Sequence, residues 1–148
     1  MPASPDTIFD VANTLALCGW LALLISPWLP RVADAVAALA IPLLLSLAYA
    51  VLIGLTIGGS GFSFSDFGSL DGVMKLFSVR EGVLIGWLHY LAFDLFIGAW
   101  EVRTARREGI AFLAVVPCLA LTFLMGPLGL IAFFAVRALA ARRVLIAA

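Results

Sequence analysis

The chain has 148 residues, 64% of them hydrophobic and 12% charged, with no net charge. Soluble domains are about 45–50% apolar and about 25% charged, and a core of this size cannot hide so much apolar surface. The composition, with a mean hydropathy of +1.16, therefore excludes an ordinary soluble domain, and the lack of net positive charge argues against nucleic acid as a partner.

The first helix is predicted over residues 4–26. Ser4 is a good N-cap, Pro5 suits the first helical position, and Asp6 favours the positive helix end. About 22 residues suffice to cross a ~30 Å hydrocarbon core. Pro27-Trp28-Leu29-Pro30 ends the run, with Trp28 at the interface, and Asn13 is the strongly polar side chain within it. The segment before the helix carries Asp6 and Asp10 but no Lys or Arg. It matches neither a secretory signal nor a transit peptide, so the first helix is expected to be retained.

The second helix is predicted over residues 31–58, with a kink at Pro42 and with Ser46, Tyr49 and Thr56 as its polar side chains. Gly58-Gly59-Ser60-Gly61 then breaks the chain. In the connection that follows, Phe67, Leu70, Val73, Met74 and Phe77 recur at spacings of three and four. That periodicity predicts a short amphipathic helix lying in the interface, capped by Ser69 and serving as a connector or a lid.

A third helix is predicted over residues 79–107, opened by a Ser78-x-x-Glu81 capping box and closed by Arg103, Arg106 and Arg107. The last segment, 110–141, would be ~48 Å long as one helix, more than a span needs. Pro117 and Gly126-Pro127-Leu128-Gly129 interrupt it, and Arg137, Arg142 and Arg143 mark its exit. One kinked helix is the expectation, and a hairpin of two short spans is the alternative. The fold is thus an all-α integral membrane protein, a four-helix transmembrane bundle forming a single transmembrane domain over residues 1–148. With four spans, basic residues divide almost evenly between the two sides. The arginine cluster after the third helix places that loop inside and both termini outside. Eight arginines against one lysine fit a GC-rich bacterial genome and so a bacterial inner membrane. Oligomeric state is not legible.

The third helix carries the chemistry. Its run Gly86–Trp100 is apolar yet holds His89, Tyr90 and Asp94, and an ionisable group at membrane depth costs roughly 2.5–3.5 kcal/mol to insert. Arg80, Trp87, Asp94 and Glu101 are seven apart and form one stripe, which Tyr90 joins. His89 lies five residues from Asp94, roughly 140° around the helix, so the two do not point at one axial partner. Asp94 reads as a packing carboxyl bonded to Tyr90, Asn13, Tyr49 or Thr122, as a catalytic acid or base, or, least, as a metal ligand. His89 reads as a neutral core histidine or as an acid–base group. A single histidine disfavours bis-histidine haem and two-histidine zinc sites. Cys18 and Cys118 fall in apolar segments and read as small buried side chains. No cofactor or metal is expected. Trp87, Phe93, Phe96 and Trp100 read as packing anchors or as walls of a slot for a flat or long apolar ligand.

Three pieces together resemble a known family: Trp87-x-His89-Tyr90-Leu91-x-Phe93-Asp94-Leu95-Phe96-x-Gly98, Leu121-Thr122-Phe123, and Gly126-Pro127-Leu128-Gly129-Leu130. The chain resembles the abscisic-acid-deficient-four-like, or neoxanthin synthase-like, family from about Asn13 to Arg137. The resemblance implies a small multispanning membrane protein. It also implies a cofactor-free isomerisation of the kind that turns a di-epoxide carotenoid into an allenic one, with one acid to open the epoxide and one base to take a proton. It makes Asp94, His89 and Tyr90 the candidate catalytic residues, with Trp87, Phe93, Asn13, Tyr49 and Thr122 around the substrate. The chain is short and lacks the transit peptide of plant members, so fold transfers better than substrate. Two functions follow. One is an isomerase acting on a carotenoid or related isoprenoid within the bilayer. The other is a non-catalytic membrane protein that binds lipid or pigment or supports another membrane enzyme. An ion pathway is weaker, because the polar residues concentrate on one helix.

Overall fold

The computed structural model describes residues 4–57 and 64–147, and every regular element among them is helical. Helix α1 spans Pro5–Leu24 and opens as its sequence dictates, with the Ser4 hydroxyl accepting the Thr7 amide at 3.2 Å. Helix α2, Pro30–Ala35, widens into a π turn over Val36–Ala40 and continues as α3, Ile41–Ile57. The wide turn sits just before Pro42. Proline has no N–H for the fourth residue back and its ring crowds that carbonyl, so the helix relaxes there. The glycine-rich break at 58–61 lies outside the described residues.

A 3-10 turn, Phe64–Gly68, leads into α4, Leu70–Leu76, whose first turn is capped by Ser69 accepting the Gly72 amide. Of its expected apolar face, Phe67, Leu70, Met74 and Phe77 are exposed and Val73 is half-buried. Helix α5, Arg80–Glu108, follows, but the capping box at its start does not form. The Ser78 hydroxyl instead donates to the Lys75 carbonyl at 2.6 Å, closing the end of α4. When one short turn joins two helices, the same hydroxyl can serve either.

Helix α5 is the axis of the bundle, packed against α1, α3 and the helix that follows it. Its buried residues Leu88, Leu91, Leu95 and Val102 share one core with Ala12, Ala16 and Leu23 of α1 and Ile41 and Leu45 of α3. The α1 and α5 chains run parallel: Asp6 pairs with Arg80, and farther along Trp87 donates to Asn13 at 3.1 Å. At the far end Arg106 holds Asp34 at 2.6 Å. Three segments, Pro5–Leu24, Pro30–Thr56 and Arg80–Glu108, are long and apolar enough to cross a membrane.

The last segment departs from the single kinked helix predicted over 110–141. It is two helices, α6 (Phe112–Met125) and α7 (Pro127–Ala147), reversed at Gly126. Gly126 has φ +27°, a backbone angle that an L side chain disfavours. Its carbonyl accepts the Leu130 amide, and Pro127 takes the first position of α7, where a missing N–H costs nothing. The two arms touch directly. Gly129 sits so close to Thr122 that a Cβ there would overlap the Thr122 backbone, whereas seven residues of straight helix would separate them by ~10 Å. Arg137 then reaches Glu108 at the end of α5, with Nε 2.7 Å from Oε2. The hairpin thus leaves from the end of α5, turns halfway down it, and returns to the same end. The two ends of the described chain therefore lie at opposite ends of the bundle, not on one side. The side chains of Arg142 and Arg143 lie outside the described residues.

Candidate functional site

The reversal places the hairpin tip against the polar run of α5. A Cβ on Gly126 would lie 2.7 Å from Oδ1 of Asp94, so glycine is what lets the carboxyl reach the tip backbone. The Oδ2 atom of Asp94 is buried and has no hydrogen-bond partner among the described residues. One turn earlier, the Tyr90 hydroxyl donates to the Phe123 carbonyl at 2.9 Å, tying α5 to the end of α6. Tyr90 also neighbours the Asp94 carboxyl.

Two turns beyond Asp94 lies a second carboxyl. Glu101 is fully buried; its Oε1 accepts the hydroxyl of Thr122, also fully buried, at 3.0 Å, and its Oε2 has no partner among the described residues. The sequence puts Glu101 on the Asp94 stripe but does not mark it as part of the site. Its neighbours Arg103, Arg106 and Arg107 make it look like part of a solvated helix end. The signal that could have found it is the seven-residue interval from Asp94. A buried carboxyl oxygen left unpaired costs about 1–3 kcal/mol or more, so two of them facing one hairpin mark where stability has been spent.

The remaining expected residues fall on other faces. Among the described residues none of Asn13, Tyr49 and Thr122 bonds to Asp94, which corrects the packing expected from the sequence. Asn13 accepts from the Trp87 indole and donates to the Phe9 carbonyl at 2.7 Å. Tyr49 lies beside His89, with ring centroids 5.8 Å apart. Thr122 serves Glu101. His89 is exposed and stacks on Phe93 at 4.6 Å. The roughly 140° between His89 and Asp94 thus separates them as helical geometry requires: His89 and Phe93 face α3, and Asp94 faces the hairpin. Trp87 stands between Phe9 and Tyr90, at 5.7 and 5.1 Å. Trp20 of α1 meets Phe123 edge-on at 5.4 Å, closing the tip from the other side.

A cavity of about 210 Å³ lies between α1, α3 and α5, lined by apolar side chains including Ile8, Leu15, Leu45 and Leu88. A second, of about 190 Å³, lies near the arginine end. Neither is lined by His89, Tyr90 or Asp94.

The residues matching the ABA DEFICIENT 4-like family model run from 7 to 133, which takes in α1, α5 and the hairpin tip. The chain belongs to the ABA DEFICIENT 4-like family. In this ABA DEFICIENT 4-like protein the family match thus ends on α7, at the helix that carries the tip back. None of the curated proteins and none of the solved structures compared with the chain is similar to it.

Proposed function

We propose that this protein is a membrane-embedded isomerase of a carotenoid or related isoprenoid, with Asp94 moving the proton. The observation that carries this reading is the buried Oδ2 of Asp94 beside the reversed backbone at Gly126, with the Tyr90 hydroxyl as its polar neighbour and that hydroxyl's proton given to Phe123. At membrane depth such a group is kept for function by default. An isomerisation needs no group gained or lost overall. A proton is delivered to one atom of the substrate, such as an epoxide oxygen as its C–O bond breaks, and one is taken from carbon as a double bond forms. Asp94 is assigned both transfers in turn: its carboxyl gives the proton to the oxygen, and the carboxylate that is left takes the one from carbon, which restores the carboxyl. Tyr90, held by the Phe123 carbonyl, positions the tip, and Glu101 is the second carboxyl of the same stripe. His89 belongs to the aromatic wall facing α3 rather than to the proton-transfer step.

The membrane placement that supports this has three full spans and a hairpin entering from one side, within one transmembrane domain. As a helix α6 is ~21 Å long, short of a ~30 Å core. Reversed backbone at that depth is tolerated where protein buries it, and Gly126 is buried. Arg31, Arg103, Arg106, Arg107 and Arg137 then share one end, against Lys75 and Arg80 at the other. That end is assigned to the cytoplasm of a bacterial inner membrane.

A second reading, non-catalytic binding of an apolar ligand, is favoured by the apolar cavity between α1, α3 and α5. Extraction of the purified protein followed by mass spectrometry tests both readings. A polyene or isoprenoid should co-purify at a fixed ratio, and an epoxide or hydroxyl on it would favour chemistry over storage. Recovery of phospholipid alone would count against an isoprenoid function of either kind.

A further inference from the structure

The cavity at the arginine end is built differently from the rest of the surface. Phe96, Trp100, Arg103 and Arg107 follow one another at spacings of four, three and four, one continuous stripe of α5. Ala38, on the π turn, forms the opposite wall. A π turn pushes the backbone outward, and alanine there leaves room that a larger side chain would fill. The stripe grades from aromatic toward the middle of the bundle to cationic at its end. Trp100 is held in place by Phe133, edge-on at 5.3 Å.

The two cations are undercompensated. Asp34 binds Arg106 at 2.6 Å and lies 3.8 Å from Arg103, so one carboxylate is shared between two guanidinium groups. Arg107 donates to the Thr104 hydroxyl at 3.2 Å, and the carboxylate whose charge it feels, Glu108, is already held by Arg137 and so is shared between two guanidinium groups as well. Two guanidinium groups one turn apart, above an aromatic floor, match a phosphate carried on an acyl chain: forked donors for the anion, apolar rings for the chain.

We propose that this cavity binds the phosphate headgroup of an anionic membrane lipid, with Arg103 and Arg107 on the phosphate and Phe96 and Trp100 against the first part of the chain. It is distinct from the Asp94 site. It rests on the placement of the C-terminal end of α5 at the membrane surface, where basic pockets between helices take anionic headgroups.

The test is native mass spectrometry of the detergent-purified protein titrated with phosphatidylglycerol, phosphatidylcholine or inorganic phosphate. Phosphatidylglycerol should bind at least tenfold more tightly than phosphatidylcholine. Arg107→Gln should weaken it about fivefold and Arg103→Gln/Arg107→Gln about 25-fold, while Arg31→Gln, which removes the same charge outside the cavity, should change it less than twofold. Arg107 is exposed and its hydrogen bond, to Thr104, stays within α5, so the single variant reads binding with little disturbance to the fold. Equal binding of the two lipids, or an unchanged affinity in the Arg107 variant, would overturn the proposal. Inorganic phosphate binding as tightly as the lipid and lost in the same variant would also overturn it, making the cavity a site for a soluble anion. Lipid binding in detergent does not depend on sidedness, so an error in membrane orientation would show in topology and not here.

Discussion

Asp94→Asn is expected to lower isomerase turnover by at least ~100-fold, the low end of what a positioned acid or base supplies, while the protein stays folded and membrane-bound. Asparagine keeps the shape beside Gly126 and can still hydrogen-bond, but cannot exchange a proton. The check is product formation from the co-purifying isoprenoid, alongside elution volume and helical content. His89→Ala should cut turnover much less, because His89 lies on the α3 side with Tyr49 and Phe93. Full turnover in Asp94→Asn would return the carboxyl to a packing role. An equal loss in His89→Ala would mean that substrate bridges two faces of α5.

Gly129→Leu should remove the hairpin. A side chain at this position has to occupy the space of the Thr122 backbone, which no rotamer avoids, so the two arms must part. Overpacking of a well-filled core costs about 1–3 kcal/mol, and more when backbone must move; separation of the arms also takes the Thr122 hydroxyl from Glu101. A loss of at least ~3 kcal/mol is expected in denaturant titration of the detergent-solubilised protein. Gly126→Ala should cost about 1–2 kcal/mol from backbone angle alone, plus displacement of Asp94. Gly54 points into open space in α3, so Gly54→Ala should be neutral or stabilising by up to ~1 kcal/mol. Equal stability of Gly129→Leu and Gly54→Ala would mean that α6 and α7 do not pack as a pair.

Gly126 and Gly129 also show where the sequence stops speaking. Ser4 and Ser69 announce their helices because a cap is a local bond between residues three apart. Ser78 has the same signature and fails, because the preceding helix ends within reach of the same hydroxyl. The split of His89 from Asp94 is legible because helical rotation alone decides it. The hairpin is not, since Gly126-Pro127 serves a kink and a reversal equally well. The choice is made by contacts distant along the chain: Gly129 on Thr122, Tyr90 on Phe123, and Arg137 on Glu108. Glu101 was obscured for a related reason. The arginines beside it in sequence point outward, while its own carboxyl turns in toward Thr122, an orientation that only the packed hairpin creates.

The account turns on that hairpin, which carries Gly126 to Asp94 and returns to the end from which it left. Cysteine labelling in vesicles of known sidedness measures this directly. With Cys18 and Cys118 replaced, single cysteines at Ser4 and Ala141 are reacted with a membrane-impermeant maleimide. Labelling of the two positions from opposite sides, with Ala141 on the cytoplasmic one, is the expected result. Labelling of both from the same side would mean that the segment after α5 crosses the membrane once, and would take the reversed tip away from Asp94.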